Sequence, residues 1–383
     1  MFHLPISLYY ICRFGAPGPN PMQSENLLET DSLTAKETEK PSSGKKALFF
    51  GLHAVAFLIG FGALVMLVIR HRATIAESLT DVGWGFLAIV ACNILRHFLR
   101  SASMYRAVAP ELRTFKYRRV VAARFGGEAV TLLSAFTGPY LGDATKVMLL
   151  KQDLPVTQGA SAVIIDNILY YTSVILLVLS GVVVLLATYG TTGSTMSKIL
   201  LIIVIAMVVA FSVFAGAILF KITPFSRVLD LLSRFNLAPN FLLKRRESIL
   251  SIENNVFQFY HNRPADFFIV FGISCCVHVV SITEVFIAMT LLGYEPTVAK
   301  AFIIEALIKI VNLPYGFIPG NVGVYEGGTI LILKALHYSD PGGVGTTLAL
   351  VRRGASLCGN LIGGIILIWR GALGGAKQFR SRQ

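Results

Sequence analysis

The chain has 383 residues, of which 54% are hydrophobic and only 14% are charged. A soluble domain carries about 25% charged residues, so this composition excludes a soluble enzyme and a disordered protein. Continuous apolar runs of about 20 residues predict an all-α, polytopic membrane protein rather than a β-barrel, whose strands would alternate. The net charge of +13 is interpreted as membrane orientation and predicts no nucleic-acid partner.

The chain begins with a proline-containing, mixed-charge stretch over residues 1–46, which predicts a disordered cytoplasmic tail. The next 324 residues, 47–370, are predicted to form the transmembrane domain. Six apolar runs within it predict membrane-spanning helices, at 47–69, 82–99, 159–187, 198–220, 267–292 and 346–369. Residues 371–383 form a basic tail that we also expect in the cytoplasm.

Two further stretches, 119–155 and 301–343, are too apolar for exposed loops but contain glycine, proline and charges. Lys and Arg are concentrated in the segments on one predicted side, which carry 20 of these residues against 4 on the other. The rich segments are 35–46, 100–118, 221–264 and 370–383. The positive-inside rule places them in the cytoplasm, so each odd stretch must begin and end on the same side. We therefore expect two opposed re-entrant helical hairpins within an inverted repeat, with halves at about 82–220 and 265–370.

The repeat is also visible in the residue types. Each half has an opposite-charge pair four residues apart, a Gly/Pro break and an acid beyond the break. In the first half these residues are Arg124, Glu128, Pro139, Gly142, Asp143 and Lys146. In the second half they are Glu305, Lys309, Pro319, Gly320, Gly323 and Glu326. The spanning helix that follows carries Asp166-Asn167 in the first half and Arg352-Arg353 in the second, each about two turns in.

Charge inside a membrane costs about 2.5–3.5 kcal/mol per residue and must be paired or face water or a ligand. The i,i+4 pairs either hold the hairpins in place or line a polar cavity. The helix ends at the breaks either bind an anion, for which a lipid phosphate is the candidate, or are packing kinks. We expect only one of Arg352 and Arg353 to face the interior, and favour Arg353; an ion pair with Asp166 is the alternative. His278 and Glu284 are weaker candidates.

The run Leu313–Gly328, with GPYLGDATK from Gly138 and with Arg353, resembles the flippase-like membrane family. That family includes the transmembrane part of bacterial lysylphosphatidylglycerol synthase (the multiple peptide resistance factor) and stand-alone relatives. The resemblance implies a multi-pass lipid translocator of the bacterial cytoplasmic (inner) membrane. Asp166-Asn167 stands where the family often has a Glu-Arg-like pair, which leaves the headgroup preference open. Because the chain ends about fourteen residues after its last span, we expect no synthase domain and no lysyl transfer.

The sequence thus predicts a transporter that moves or presents an anionic or zwitterionic lipid with a phosphate-containing headgroup. Two other functions stay open. One is a membrane enzyme with Glu128, Glu305 or Asp166 as acid or base. The other is a non-transporting partner that recruits lipid-biosynthesis enzymes through loop 221–264. No HExxH, Walker A, GxSxG, CxxC or DxD motif occurs, so we expect no catalytic residue, metal or cofactor. The oligomeric state is not predicted.

Overall fold

The computed structural model describes residues 80–133, 138–189, 224–235, 245–312 and 322–380, with isolated residues elsewhere. Within these ranges the chain is α-helical apart from turns and short 3₁₀ segments, which confirms the predicted all-α class. The helices in chain order are α1 (Phe86–Ala107), α2 (Tyr117–Leu133), α3 (Gly138–Leu150), α4 (Val156–Tyr189), α5 (Pro224–Arg234), α6 (Arg246–Asn262), α7 (Pro264–Leu291), α8 (Val298–Val311), α9 (Val324–Ala335) and α10 (Pro341–Arg380). The predicted tail 1–46 and spans 47–69 and 198–220 lie outside the continuously described residues.

Among the described residues, four helical stretches are long and apolar enough to cross a membrane. They are Thr80–Ala107, Val156–Tyr189, Pro264–Leu291 and Pro341–Trp369. They confirm a multi-pass protein and coincide with four of the predicted spans, but most extend further. Two of them begin with proline, whose fixed φ and missing N–H suit the first helical position.

The helices of the two odd stretches are shorter than these spans. α2 and α3 have 17 and 13 residues, and α8 and α9 have 14 and 12. At about 1.5 Å per residue the lengths run from about 18 to 26 Å, below the roughly 30 Å of a bilayer core. α2 packs on α3 and α8 packs on α9, so each odd stretch forms a helix pair.

Two apolar clusters occupy opposite ends of the spanning helices. One contains Met104 of α1 and Ile165 of α4, and the other contains Ile89 of α1 and Val182 of α4. Between these clusters α1 carries polar and charged side chains, among them Asn93, Arg96, His97 and Arg100. The apolar ends therefore enclose a polar layer near the middle of the bundle, where its charges must find partners.

The α2–α3 pair packs through glycines. A Cβ on Gly142 would overlap the hydroxyl of Thr131 and would lie 2.7 Å from the carbonyl oxygen of Gly127. A Cβ on Gly127 would lie 2.7 Å from the carbonyl oxygen of Gly142 in turn. The two backbones approach so closely that only glycine fits at either position.

We expect Gly142→Ala to destabilise the protein by about 1–3 kcal/mol, because the added methyl group forces α2 and α3 apart. The measurement is the free energy of unfolding in detergent, from denaturant titration. Gly272→Ala on α7 is the matched control, since a Cβ there would meet no atom within 4 Å. The control should be as stable as the wild type or slightly more so. Equal stability of both variants would contradict the close packing.

Candidate functional site

Asp166 is the centre of a first charge network, about 15 Å along α4 from its first residue. Its carboxylate lies 2.9 Å from Arg100 of α1 and 2.9 Å from Arg124 of α2. The hydroxyl of Ser103 donates a further hydrogen bond of 2.5 Å. The side chain is 1% exposed, so one buried carboxylate joins three helices and depends on these partners for its charge.

Arg124 extends this network along the α2–α3 pair. Its Nε lies 3.3 Å from Oε1 of Glu128, and Nζ of Lys146 donates to the same oxygen at 3.0 Å. Lys146 also donates to Asp143 at 3.0 Å, and Asp143 accepts a 2.8 Å bond from the amide of Asn167. In total three carboxylates are paired with three cations, so the first network is electrically neutral.

Arg352 is the centre of a second network. Its Nε lies 2.9 Å from Glu284 of α7 and its Nη2 lies 2.9 Å from Glu305 of α8. Its Nη1 donates to the hydroxyl of Tyr325 of α9 at 3.1 Å. Both carboxylate side chains are 0% exposed. A single guanidinium on α10 thereby connects three other helices through charge-assisted hydrogen bonds.

Two more cations complete the second network. Lys309 Nζ lies 2.6 Å from Glu305, one helical turn away on α8, and Arg96 of α1 lies 2.9 Å from Glu284. Arg96 also donates to the hydroxyl of Ser281 at 3.1 Å. Two carboxylates therefore hold three cations, and this network has one positive charge in excess.

Arg353 forms a separate pair beside the second network. Its Nη2 lies 2.7 Å from Oε1 of Glu326, whose Oε2 accepts a 2.7 Å bond from the backbone N–H of Gly323. Gly323 precedes α9 with φ of 78°, a conformation that favours glycine. The helix end predicted to bind an anion thus already binds the protein's own carboxylate, because an acid three residues into a helix reaches back to its start.

A cavity of ≈ 270 Å³ lies beside both networks. Its charged lining consists of Arg96, Glu128, Glu284, Glu305, Lys309, Arg352 and Arg353. Its neutral polar lining consists of Asn93, His97, Thr131, Asn312, Tyr325, Ser356 and Asn360. Arg96, Glu128 and Arg353 expose 22%, 24% and 26% of their side chains, whereas Glu284 and Glu305 expose none. The most accessible charged groups are therefore two guanidiniums and one carboxylate.

The predicted site residues take three kinds of position. Those on the cavity wall are Glu128, Glu305, Lys309 and Arg353. Those behind the wall, bonded to it or to one another, are Arg124, Asp143, Lys146, Asp166 and Glu326. Those of the backbone breaks are Pro139 and Gly142 in α3 and Gly323 before α9, while Pro319 and Gly320 lie outside the described residues. Both predicted i,i+4 pairs are present as ion pairs.

The expectation that only one of Arg352 and Arg353 faces the interior is wrong. Both contact buried carboxylates, and Arg352 is the more enclosed, at 7% side-chain exposure against 26%. The alternative pairing with Asp166 is also wrong, since that carboxylate bonds Arg100 and Arg124 instead. Two adjacent arginines can both turn inward here because α10 faces buried acids in two directions. Arg352 meets Glu284 of α7 and Glu305 of α8, and Arg353 meets Glu326 of α9.

Sequence reasoning missed two residues that organise the site, Arg96 and Arg100, and ranked a third, Glu284, only as a weaker candidate. Arg100 was assigned to the cytoplasmic segment 100–118, but α1 continues to Ala107 and buries it at 6% exposure. The four-residue spacing of the two arginines on one helix face was the available signal.

Among the described residues, no group of three or more His, Cys, Asp or Glu side chains is arranged to hold a metal ion.

The comparison with protein families finds a matching family model. The model of the family described as "Lysylphosphatidylglycerol synthase TM region" matches residues 51–364, which include both helix pairs and all the networks above. No synthase domain is detected in the chain. No curated protein matches the chain, and no solved structure matches it either.

Proposed function

The chain belongs to the family of the lysylphosphatidylglycerol synthase TM region, and from this premise we propose that it is a lipid transporter. The lipid headgroup, with its phosphate, would enter the polar cavity while the acyl chains stay in the bilayer. The observation that supports this most is the cavity itself, which is lined by four cations, three of them near the middle of spanning helices. Charges at that depth are costly and mark substrate pathways in membrane proteins.

We further propose that the pairs α2–α3 and α8–α9 are re-entrant hairpins of an inverted repeat. Their helices are too short for full crossings, and each pair contributes charged side chains to the cavity region. With both termini in the cytoplasm, as the Lys and Arg distribution favours, the pairs would enter from opposite faces. This topology is tested by labelling single cysteines at Lys116, Gln152, Thr297 and Ser339: each hairpin's two ends must react from the same side.

The accessible guanidiniums of Arg96 and Arg353 would bind the phosphate, since their planar donors match its oxygens. The ion pairs then give the mechanism a means of alternation. Arg353 can exchange its 2.7 Å contact with Glu326 for one with phosphate, which removes one of the contacts between α9 and α10. Such an exchange would shift the population between cavities open to either leaflet.

An enzymatic function is less well supported by the geometry. The candidate acids Glu128, Glu305 and Asp166 each already contact two cations. Both oxygens of Asp166 and Glu305 and Oε1 of Glu128 are engaged in these contacts, whereas a general acid or base must reach the reacting atom of a substrate. Transport therefore accounts for the site with fewer rearrangements.

The test is leaflet exchange of headgroup-labelled phospholipids in vesicles that contain the purified protein. We expect exchange well above that of protein-free vesicles, and we expect Arg353→Gln to lower it about 10- to 100-fold. The reason is the loss of a charge-assisted bond of about 1.5–3 kcal/mol.

The double variant Arg353→Gln/Glu326→Gln guards against a folding defect, because it removes both charges of the pair. It should fold and still exchange lipid slowly. Arg246→Gln is the matched control: this exposed arginine pairs with Asp230, outside the spanning helices, and its loss should leave exchange unchanged.

Exchange no faster with protein than without it would overturn the transporter proposal. A chemically altered lipid would support the enzyme instead, and an inactive protein whose phenotype depends on loop 221–264 would support the recruiting partner.

A further inference from the structure

We infer that the transported lipid has a single negative charge and a headgroup that ends in hydroxyl groups rather than in an amine. This inference rests on the proposed function and names its substrate class. It follows from the charge balance around the cavity, from the bonding state of its carboxylates and from its neutral wall.

The first step is the charge balance among the described residues. The network around Asp166 is neutral, and so is the pair of Arg353 with Glu326. The network around Arg352 has three cations against two carboxylates. One positive charge is left over beside the cavity, in a region where uncompensated charge is costly. One phosphodiester, with one negative charge, balances it.

The second step concerns the carboxylates that could bind an ammonium group. The described acids on the cavity wall are Glu128, Glu284 and Glu305, and each contacts two cations of the protein. Glu128 contacts Arg124 and Lys146. Glu284 and Glu305 share Arg352, and each has one further cation. An ammonium group that binds Glu284 or Glu305 would displace one of these cations, because both oxygens of each carboxylate are engaged. At Glu128, whose two cations share Oε1, it would add to the positive excess. An amine-bearing headgroup is therefore disfavoured.

The third step is the neutral wall, to which α1 and α10 contribute amides and a hydroxyl. Asn93 is 3% exposed, and its Oδ1 has no hydrogen-bond partner among the described residues. A buried acceptor without a donor is costly, so this oxygen needs a donor that a ligand can supply. Asn93 lines the cavity together with Ser356 and Asn360. A hydroxyl group both donates and accepts, which matches amide and serine side chains.

The size of the cavity restricts the headgroup further. Its volume of ≈ 270 Å³ lies just below the range of about 300–1,000 Å³ that is usual for ligand pockets. A single polyol or one sugar ring fits this volume, and an oligosaccharide does not. The inferred substrate is thus a phosphodiester lipid with one small hydroxylated headgroup.

The experiment compares three lipids with identical, acyl-labelled chains in vesicles that contain the protein. Phosphatidylglycerol has one negative charge and two hydroxyls, phosphatidylmethanol has the same charge without hydroxyls, and phosphatidylethanolamine has an amine. We expect phosphatidylglycerol to exchange about tenfold faster than phosphatidylmethanol, because a site built to bond hydroxyls rejects the analogue without them. Phosphatidylethanolamine should be the slowest.

The variant Asn93→Leu has a similar shape and lacks the amide. It should abolish the preference for phosphatidylglycerol over phosphatidylmethanol by slowing the exchange of phosphatidylglycerol. Thr283→Val, on an exposed position of α7, is the control and should keep the preference.

Equal exchange of the first two lipids, or fastest exchange of phosphatidylethanolamine, would overturn the inference and leave the transporter proposal intact. Exchange of no lipid above the protein-free rate would overturn the proposed function itself. Entrapped glycerol phosphate is assayed in parallel, and its accelerated release would assign the site to a free phosphate ester instead of a lipid.

Discussion

Arg352→Met is expected to lower the free energy of unfolding by about 3–5 kcal/mol, the usual cost of removing one partner from a buried ion pair. Arg352 contacts two carboxylates that are fully buried, at 2.9 Å each, and also the hydroxyl of Tyr325. Without the guanidinium, Glu284 and Glu305 keep only one cation each. Four helices also lose their common contact, so the loss affects the packing of α10 against α7, α8 and α9.

The measurement is denaturant titration in detergent, followed by circular dichroism. Arg352→Lys separates charge from geometry, because an ammonium group cannot bond three partners in the planar arrangement of a guanidinium. We expect it to recover less than half of the lost stability. Arg246→Met is the matched control: its pair with Asp230 is exposed on both sides, and its loss should cost no more than about 1 kcal/mol. A cost for Arg352→Met as small as that of the control would contradict the central role of this side chain.

The charges that the sequence identified and those that it missed differ in a simple physical way. Pairs within one helix, such as Arg124 with Glu128 and Glu305 with Lys309, follow from the four-residue repeat and were predicted correctly. The contacts of Glu284 with Arg96 and Arg352 join three helices. No local rule determines which faces of distant helices meet, so these contacts required the tertiary structure.

Helix ends were a second source of error. Hydropathy ends a predicted span at the first cluster of charges, and the span 82–99 accordingly stops before Arg100. In the structure α1 continues to Ala107, because the charged residue is paired inside the bundle instead of exposed to solvent. A buried charge with a partner is indistinguishable, from hydropathy alone, from a charge at the membrane surface. The family motif could be recognised without this information because its glycines and prolines mark backbone breaks.

The break before α9 shows that a motif does not by itself determine the local role of its residues. Gly323 and Glu326 were predicted as part of a site in which the helix end either binds an anion or is a packing kink. The Glu326 carboxylate instead accepts the Gly323 N–H and also pairs with Arg353. The same acid therefore stabilises the start of α9 and holds a cavity arginine in place. Its role in the proposed mechanism is to position that arginine and not to bind the lipid.

Asp166→Asn is the second large effect that we expect, with a loss of about 3–5 kcal/mol in the free energy of unfolding. The substitution keeps the shape of the side chain but leaves Arg100 and Arg124 without their shared carboxylate. It also replaces one carboxylate oxygen, a hydrogen-bond acceptor, with an NH2 group, which is a donor. That donor then faces the donor groups of Arg100, Arg124 or Ser103. The first network changes from neutral to positive, at a depth where water does not screen it.

A double-mutant cycle attributes this loss to the ion pair. Arg124→Gln alone removes a cation and leaves the acids in excess, whereas Asp166→Asn/Arg124→Gln restores neutrality. We therefore expect the double variant to be more stable than the sum of the single losses predicts, with a coupling of about 1–3 kcal/mol. Asp166 does not line the cavity, so the folded fraction of each variant should exchange lipid at close to the wild-type rate.

Additive losses, with a coupling below about 0.5 kcal/mol, would show that the carboxylate and Arg124 stabilise the bundle independently of each other. Normal stability together with lost exchange would instead place Asp166 in the transport step, and the neutral first network would then be part of the lipid site.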